Sequence, residues 1–572
     1  MNHVPTPEND AASGKNRRVV IIGAGIAGLA TATLLARNGY EVTVLERLDT
    51  WGGRAGELHT LQAPGFRWDA GPSWYLMPEA FDHFFALCGT STQEQLDLVT
   101  LQPAYRVFTG VQDKDHCQDQ HPRHFDVSPH NVVELFESME KGAGGKLQKY
   151  LAQAETVYRI SLEHFLYSNF SRPHNLIAWP LLRRVRLLIR LLRHSLQDYV
   201  AREFKDFRLR QVLTYPAVFL STQPATAPAL YSLMSVTDLV QGPQYPRGGF
   251  VAVTNALYNL AVAHGVRFHF HAEATAIETE PQAASGKMRS RCRRRERVVG
   301  VRWASLSSAA LGEESVSFTP ADVVVSAADL QHTEMVLLPA HLRTYSHKHW
   351  RNADPGISTV LIYAGVKGEL PELAHHTLIF SKQWEEDFAA VFPSTNQPDA
   401  HKLAGTSWSR SIYISKTSAT DDDVAPDGYE NLFVLIPVPA DAHFGHGSAY
   451  NDHGADRAVQ EVAEAAVEHI AKSTGIRDLR RRIVVMETVG PSDFAQRYHA
   501  FAGGAIGPAH TLRQSAFFRG SNKSAKVDGL YFAGATTVPG VGVPLCLISA
   551  ENVLKRLVGA HSNQPIQSTP EN

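Results

Sequence analysis

Residues 19–29 read VVIIGAGIAGL, and this stretch decides the first part of the fold. Its apolar run predicts a buried strand, and the glycine-spaced turn after it predicts the start of a helix. Gly23 permits the tight turn, Gly25 lets the main chain approach a pyrophosphate, and Gly28 lets the helix pack closely on the strand. The N–H groups and dipole of the helix would then face an anion. The pattern indicates a dinucleotide site.

A second predicted strand, EVTVL at 41–45, ends in Glu46. At this position an acidic side chain is placed to accept a hydrogen bond from a ribose hydroxyl. Its negative charge disfavours a 2′-phosphate, which argues against NADP. A glycine pattern of this kind also occurs as a purely structural turn. The strand before it and Glu46 after it favour cofactor binding.

Two more glycine-containing motifs follow, WGGR at 51–54 and GFRWDAGP at 65–72. Together they resemble the flavin-dependent amine oxidase superfamily. In that superfamily a Gly-Gly-Arg lies along the adenosine and pyrophosphate of FAD, and a Gly-Pro passes beside the flavin ring. The resemblance therefore implies that FAD is the cofactor and that these motifs contact it through Gly53, Arg54, Gly71 and Pro72.

Arg54 has two possible roles. A guanidinium fork suits a phosphate, and it also suits a carboxylate such as that of Glu46. Arg54 would thus bind the cofactor or order its acidic neighbour. We favour contact with the cofactor.

Near the other end of the chain, residues 531–544 read YFAGATTVPGVGVP and precede a helical pattern over 545–557. This segment resembles the C-terminal signature of bacterial-type phytoene desaturases and their carotenoid oxidoreductase relatives. A helix that starts there would aim its N-terminal dipole at the flavin edge where negative charge develops on reduction. The resemblance implies further FAD contacts at Gly534, Ala535, Gly542, Val543 and Pro544.

Other segments agree with this family, among them YPRGG at 245–249 and ADVVVSAAD at 321–329. The match extends over about residues 17–560. Two positions depart from it: many relatives carry His at the position of Val538 and Asn near that of His499. Both lie near the expected substrate chamber.

The resemblance implies an α/β fold in which two domains are interleaved along the chain. One is a Rossmann-type FAD-binding domain of the amine oxidase-like kind, and the other is a mixed α+β substrate domain. We expect the FAD-binding domain at 17–105, 240–335 and 500–560, and the substrate and membrane-contact domain at 106–239 and 336–499. Disordered ends are expected at 1–16 and 561–572.

Composition excludes several classes of protein. The chain has 572 residues, with 55 basic and 57 acidic side chains, so no global field favours a nucleic acid. The cysteines form no Cys-x-x-Cys pair and no zinc spacing, which argues for a reducing compartment and against a structural metal. His269 and His271 would share one strand face, but no third ligand is placed beside them. We expect no metal site.

No targeting signal is expected. Residues 1–16 are polar and lack the apolar region of a signal peptide. No stretch reaches the roughly 18 apolar residues that a bilayer crossing needs. These features predict a protein on the cytoplasmic side.

One predicted helix suggests a membrane surface nevertheless. Residues 181–193 read LLRRVRLLIRLLR, in which one apolar stripe is formed by residues 181, 182, 185, 188, 189 and 192, and five arginines occupy most other positions. This pattern is typical of a helix that lies among lipid headgroups. It also fits an amphipathic helix packed on its own domain. A substrate as apolar as a C40 polyene favours membrane contact.

The resemblance implies an FAD-dependent phytoene desaturase that dehydrogenates a C40 polyene in successive steps toward neurosporene or lycopene, with a quinone or oxygen as the electron acceptor. Phytoene offers no charge near the reacting bond, so it requires a long apolar channel. The alternatives are another carotenoid oxidoreductase (an isomerase, a later desaturase or a ketolase) and a non-catalytic prenyl-binding protein of the same fold. No catalytic residue is assigned; the late polar candidates are Asp493, Glu487, His499 and His510.

Overall fold

The structure is a computed structural model that describes residues 17–60, 63–109, 124–170, 179–282, 295–306, 316–392 and 407–567. The predicted arm at 1–16 and residues 568–572 of the predicted tail lie outside these ranges. Residues 561–567 are described and bond to the last helix: the Ile566 N–H donates to Glu551 Oε1 (2.7 Å), and Lys555 Nζ donates to the Gln564 carbonyl (2.7 Å).

A five-stranded parallel sheet, here called the cofactor sheet, joins segments that are far apart in the chain. Its strands, in spatial order, are Leu530–Phe532, Val323–Ser326, Arg18–Ile22, Glu41–Leu45 and Arg267–His269. The two strands predicted near the N-terminus are present, and they pair in parallel with Val20 opposite Thr43. The N- and C-terminal motifs therefore end at the same edge of one sheet.

Both faces of the cofactor sheet are covered, which explains why its strands are almost wholly apolar. On one face pack three helices, Ile26–Arg37, Phe250–Ala263 and Val543–Leu557. On the other face lies a four-stranded sheet of Ala272–Pro281, Glu296–Ser305, Val316–Pro320 and Val527–Asp528. The result is a layered helix, sheet and sheet arrangement.

A second large sheet, here called the substrate sheet, has seven strands. In spatial order they are Ile483–Val489, Ile357–Lys367, Tyr429–Pro439, Ile412–Ser415, His376–Phe380, Tyr105–Thr109 and His124–Val127. Tyr105–Thr109 runs parallel to His376–Phe380, and the other pairs are antiparallel. One face packs on helix Arg457–Thr474, while the opposite face carries Leu361 and Tyr363 toward the cofactor half of the molecule.

The remaining helices and strands surround these two sheets. Two short antiparallel pairs join Glu57–His59 to Arg67–Asp69 and Leu98–Thr100 to Gln244–Pro246. The other α-helices are Pro78–Leu87, Thr92–Gln95, Val132–Met139, Ala143–Ser161, Trp179–Arg193, Leu196–Glu203, Phe207–Thr214, Met234–Val236, Leu330–His332, His347–Asn352, Trp384–Val391, Leu479–Arg482 and Pro491–Tyr498. Within the described part of the chain, none of the helices combines the length and the apolar character that a bilayer crossing requires.

The predicted α/β fold class is confirmed. Every strand of the cofactor sheet comes from 17–105, 240–335 or 500–560, and the substrate sheet draws its strands from 106–239 and 336–499 together with Tyr105. The residue boundaries between the domains stay predictions.

Candidate functional site

One cavity runs from the carboxyl edge of the cofactor sheet to the substrate sheet. Such an edge is where open α/β sheets bind ligands. Of the residues predicted to contact a cofactor, all but Gly28 line this cavity: Gly23, Gly25, Glu46, Gly53, Arg54, Gly71, Pro72, Gly534, Ala535, Gly542, Val543 and Pro544. The two ends of the chain thus contribute to one site.

Within the glycine turn at 23–28, Gly25 and Gly28 have the different roles that the sequence suggests. A Cβ on Gly28 would lie 1.9 Å from the Gly23 carbonyl oxygen, so Gly28 serves the close packing of helix on strand. A Cβ on Gly25 would meet nothing within 4 Å, because that backbone faces open space. No side chain caps helix Ile26–Arg37, and its first turn has no acidic residue. Its N–H groups are therefore available to an anion.

Glu46 lies at the end of its strand with its carboxylate buried. Oε2 accepts from the Ala24 N–H (2.5 Å) and Oε1 accepts from the Leu48 N–H (2.8 Å). Burial raises the pKa of this carboxyl, and the backbone donors oppose that shift. Each oxygen keeps acceptor capacity for a further donor from the cavity, such as a ribose hydroxyl.

Arg54 lies on the cavity wall and does not order Glu46. Its Nη1 donates to the Ala505 carbonyl (2.9 Å). Gly71 passes directly beneath the Arg54 main chain, since a Cβ on Gly71 would lie 2.6 Å from the Arg54 carbonyl oxygen. The two motifs WGGR and GFRWDAGP are therefore held in one layer of the wall.

The C-terminal motif continues the wall from the cofactor sheet. The Ala533 N–H donates to the Ser326 carbonyl (2.9 Å), and the Gly534 N–H donates to Ser549 Oγ (3.0 Å). Helix Val543–Leu557 then begins with Pro544 in its first turn, and no side chain caps it. A second helix N-terminus is thereby directed at the same cavity.

Beyond these segments the cavity becomes an apolar chamber. Its walls include Met234 and several apolar or aromatic side chains of both domains, namely Trp74, Phe219, Leu361, Phe433 and Leu435. Polar groups here are few. Tyr413 OH hydrogen-bonds Ser73 Oγ (2.7 Å) and His376 Nδ1 (2.8 Å), and burial lowers the pKa of His376.

At the opposite end lies a polar cluster that the sequence reasoning missed, apart from His499. Glu273 Oε1 accepts from Arg47 Nε (3.1 Å) and lies 3.1 Å from His499 Nε2. The rings of His332 and His499 stack with centroids 3.9 Å apart. Burial, with Arg47 nearby, lowers the pKa of both imidazoles, that of His332 to about 4. The one sequence feature that points to this cluster is the position of Arg47 directly after Glu46, which places it beside the predicted cofactor site.

The chain is similar to known flavoproteins and carotenoid desaturases over most of its length. The model of the family described as flavin containing amine oxidoreductase matches residues 26–556. A carotenoid 3,4-desaturase of Haloarcula japonica is 37% identical, covering 94% of this chain and 98% of that protein. A zeta-carotene-forming phytoene desaturase of Myxococcus xanthus is 31% identical over 98% of this chain and 97% of that protein.

The chain belongs to the flavin-containing amine oxidoreductase family. The solved cyclohexylamine oxidase of Brevibacterium oxydans shares the fold, with a TM-score of 0.51 at 15% identity over 95% of this chain and 100% of that one. The resemblance stated from sequence is confirmed, and so is FAD as the cofactor.

The residues of this flavoprotein fit FAD in three respects. Two uncapped helix N-termini face the cavity, which suits the pyrophosphate and the electron-accepting edge of a flavin. Glu46 offers a buried acceptor for ribose. Glycines form part of the wall: a Cβ on Gly71 would lie 2.6 Å from the Arg54 carbonyl oxygen, and Gly25 leaves open space beside it. Assignment of the individual contacts remains a prediction.

The four late polar candidates for catalysis occupy different places. His499 lines the cavity. His510 is buried behind the wall and accepts the Val541 N–H (3.2 Å). Asp493 accepts the N–H groups of Gly447 and Gly490, and Glu487 bonds Ser448, so both have structural partners. No catalytic base is assigned among the described residues.

Proposed function

We propose that this flavoprotein desaturates a C40 carotenoid polyene, with phytoene as substrate, in successive steps toward neurosporene or lycopene. One observation carries the proposal: the cofactor end of the cavity opens directly into an apolar chamber whose far wall is the substrate sheet. The names of the two relatives, both polyene desaturases, support it. The apolar and aromatic side chains of this chamber suit a hydrocarbon, which is held by burial and not by charge pairs.

FAD, when bound, would supply the two-electron acceptor for this reaction, in which a hydride and a proton leave adjacent carbons of a CH2–CH2 unit and a C=C bond forms. The chain's own residues would position the polyene and exclude water. Trp74 and Phe433 would flank it as aromatic walls, and Leu361 and Leu435 would pack along it. A quinone or oxygen would then remove the two electrons.

A second candidate is desaturation of a carotenoid that is already partly conjugated. It is favoured by the 37% identity to the Haloarcula protein, whose name specifies a 3,4-desaturase. The same cavity would serve either substrate. The difference lies in which bond rests beside the flavin.

Pigment analysis distinguishes these candidates. The chain is expressed in one bacterium engineered to accumulate phytoene and in another that accumulates lycopene, and pigments are read by chromatography with diode-array and mass detection. Loss of phytoene with products lighter by successive pairs of hydrogens supports the first proposal. Unchanged phytoene with dehydrogenated lycopene supports the second, and no change in either strain, with FAD-loaded protein present, contradicts both.

We further propose that helix Trp179–Arg193 rests on a membrane surface from which the polyene enters. Among its described side chains, Leu187 and Leu191 pack on the protein, against Val157 and Ala229. Val185, Ile189 and Leu192, which belong to the apolar stripe seen in the sequence, are 42%, 45% and 39% exposed. Exposed apolar residues beside arginines suit an anionic lipid surface.

Vesicle binding tests this contact. The FAD-loaded chain is expected to sediment with vesicles of phosphatidylcholine and phosphatidylglycerol, less with phosphatidylcholine alone, and less at high salt. Serine at Val185, Ile189 and Leu192 should reduce binding at least tenfold. Serine at Val262 and Val558, which are equally exposed elsewhere, is the matched control. Equal binding by both variants would contradict the proposal.

A further inference from the structure

Arg519 is a buried cation directly behind the C-terminal part of the cofactor wall. Its side chain is almost fully enclosed, with the residue 5% exposed. All its recorded hydrogen bonds go to main-chain carbonyls: Nε to Thr537 (3.1 Å), Nη1 to Gln514 (3.1 Å), and Nη2 to Pro508 (3.2 Å) and Ala535 (2.6 Å).

Within the described parts of the chain, the Arg519 guanidinium meets no carboxylate at salt-bridge distance. Burial lowers its pKa to about 10, so it remains charged at neutral pH. Buried charges are normally paired, because an unpaired one is costly. The dipoles of the bound carbonyls offset that cost in part. A neutral amide could also donate to these carbonyls, so holding the segments together does not require a charged side chain.

The positive charge of Arg519 contributes to the electrostatic potential at the cavity wall. Ala535, whose carbonyl Arg519 binds, lines the cavity, and so does Cys546. Burial raises the pKa of the Cys546 thiol to about 11, while the positive charges of Arg54 and Arg519 act in the opposite direction on the same thiol. Two cations therefore impose a positive potential on one stretch of wall, beside the N-terminus of helix Val543–Leu557.

We propose that Arg519 raises the reduction potential of the bound flavin through space. It is a positioning residue for charge, since it stands behind the wall and does not touch the cavity. Hydride uptake brings two electrons and one proton to the flavin, the second proton of the CH–CH unit leaves to solvent, and a quinone or oxygen later removes the electrons. The reduced cofactor thus bears one negative charge more than the oxidised one.

A fixed positive potential stabilises the more negative of two states, so Arg519 favours reduction. This matters for a hydrocarbon, which is a poor hydride donor and needs a strong acceptor. The inference rests on the proposed FAD site, and it is independent of which polyene reacts.

The test measures the reduction potential of FAD-loaded protein against a reference dye, without any polyene. Arg519→Gln removes the charge and keeps an amide that can donate to a main-chain carbonyl, and Arg519→Lys keeps the charge. R519Q is expected to reduce the equilibrium constant for flavin reduction at least tenfold, about 30 mV for a two-electron couple. R519K should stay within threefold of the unmodified chain.

Arg556 provides the matched control. It is another partly buried arginine that donates to a main-chain carbonyl, that of Asn169, and burial lowers its pKa. It lies near the far end of the last helix, about 20 Å along the axis from Val543. R556Q should leave the potential unchanged.

Two results would overturn the inference. One is an unchanged reduction potential in R519Q. The other is an equal fall of the potential in R519K and R519Q, which would show that the role of Arg519 is purely structural. If R519Q fails to retain FAD, the affinity of the bound flavin for sulfite is measured in the unmodified chain and in R519K instead. Sulfite adds to oxidised flavin to form an anionic adduct, which a positive electrostatic potential also favours. Both should bleach with affinities within threefold, and no bleaching would count against the proposal. If R519Q has the same reduction potential as the unmodified chain and the unmodified chain forms pigment, the role of Arg519 alone is refuted. If R519Q lowers the potential as expected and the unmodified chain forms no pigment, only the polyene substrate is refuted.

Discussion

His332 and His499 stack face to face, with ring centroids 3.9 Å apart and an angle of 2° between the ring planes. Two imidazoles can pack in this way only while at least one is neutral, and burial together with Arg47 favours neutrality in both. Both rings line the cavity, and His499 Nε2 lies 3.1 Å from Glu273 Oε1. The stability of the stack should therefore depend on pH.

The folded pKa of His332, about 4, lies below the ordinary value of 6.5. The unfolded chain consequently binds more protons between these values, so stability is full above about pH 6.5 and is lost as the pH falls toward about 4. We expect His332→Gln to reduce the loss of unfolding free energy between pH 7.5 and pH 5 by about 1–2 kcal/mol. Urea unfolding of the FAD-loaded chain at both pH values measures this. The exposed His453 supplies the control, H453Q, and an H332Q chain with an unchanged pH slope would contradict the prediction.

Gly28→Ala should prevent the glycine turn from forming. The new Cβ would lie 1.9 Å from the Gly23 carbonyl oxygen, so helix and strand must separate. We expect a loss of about 3 kcal/mol or more in unfolding free energy and little retained FAD. Gly145→Ala is the matched control because its Cβ would meet nothing within 4 Å and it lies within helix Ala143–Ser161. That variant should be as stable as the parent or slightly more so. Full flavin content in G28A, read from absorbance, would refute the assigned role.

Glu46→Gln should weaken FAD binding, and because an amide has a single oxygen it also removes the acceptor of either the Ala24 or the Leu48 N–H. A hydrogen bond to a charged acceptor contributes about 1.5–3 kcal/mol, which corresponds to a tenfold to hundredfold rise in Kd. Titration of the apoprotein with FAD, followed by flavin fluorescence, gives this constant. Glu41→Gln tests the opposite end of the same strand, where the carboxylate pairs with Arg267 at the surface. An equal effect of E41Q and E46Q would contradict a specific ribose contact.

Local sequence predicts the parts of this site that lie in continuous segments. Strand, turn and helix at 18–37 are adjacent in the chain, so the pattern of apolar residues and glycines is sufficient to predict them. The family resemblance then supplies the C-terminal half. These two sources explain why the predicted residues from 23 to 72, apart from Gly28, and from 534 to 544 meet in one cavity.

Contacts between distant segments have no such signal. Glu273 meets Arg47 and His499 across 226 residues in each direction, and no local pattern pairs them. The same limit applies to helix Trp179–Arg193. Periodicity identifies its apolar stripe, but the helix is anchored by Leu187 and Leu191, because Val157 and Ala229 happen to lie on that side. Which face is covered depends on tertiary neighbours that the helix sequence does not contain.

Filling the chamber should separate cofactor binding from polyene desaturation. Leu435 lines the cavity from the substrate sheet and pairs with Leu361 on the neighbouring strand. Leu435→Trp adds bulk at the chamber wall, away from the glycine turn and Glu46, so we expect normal FAD content. A C40 chain that reaches the flavin must pass this wall, and a displacement of the reacting bond by about 1 Å costs on the order of 100-fold in rate. Val484→Trp places the same side chain at a position of the substrate sheet that is 52% exposed and serves as the control. L435W with normal FAD and a normal pigment profile would show that the polyene takes another route.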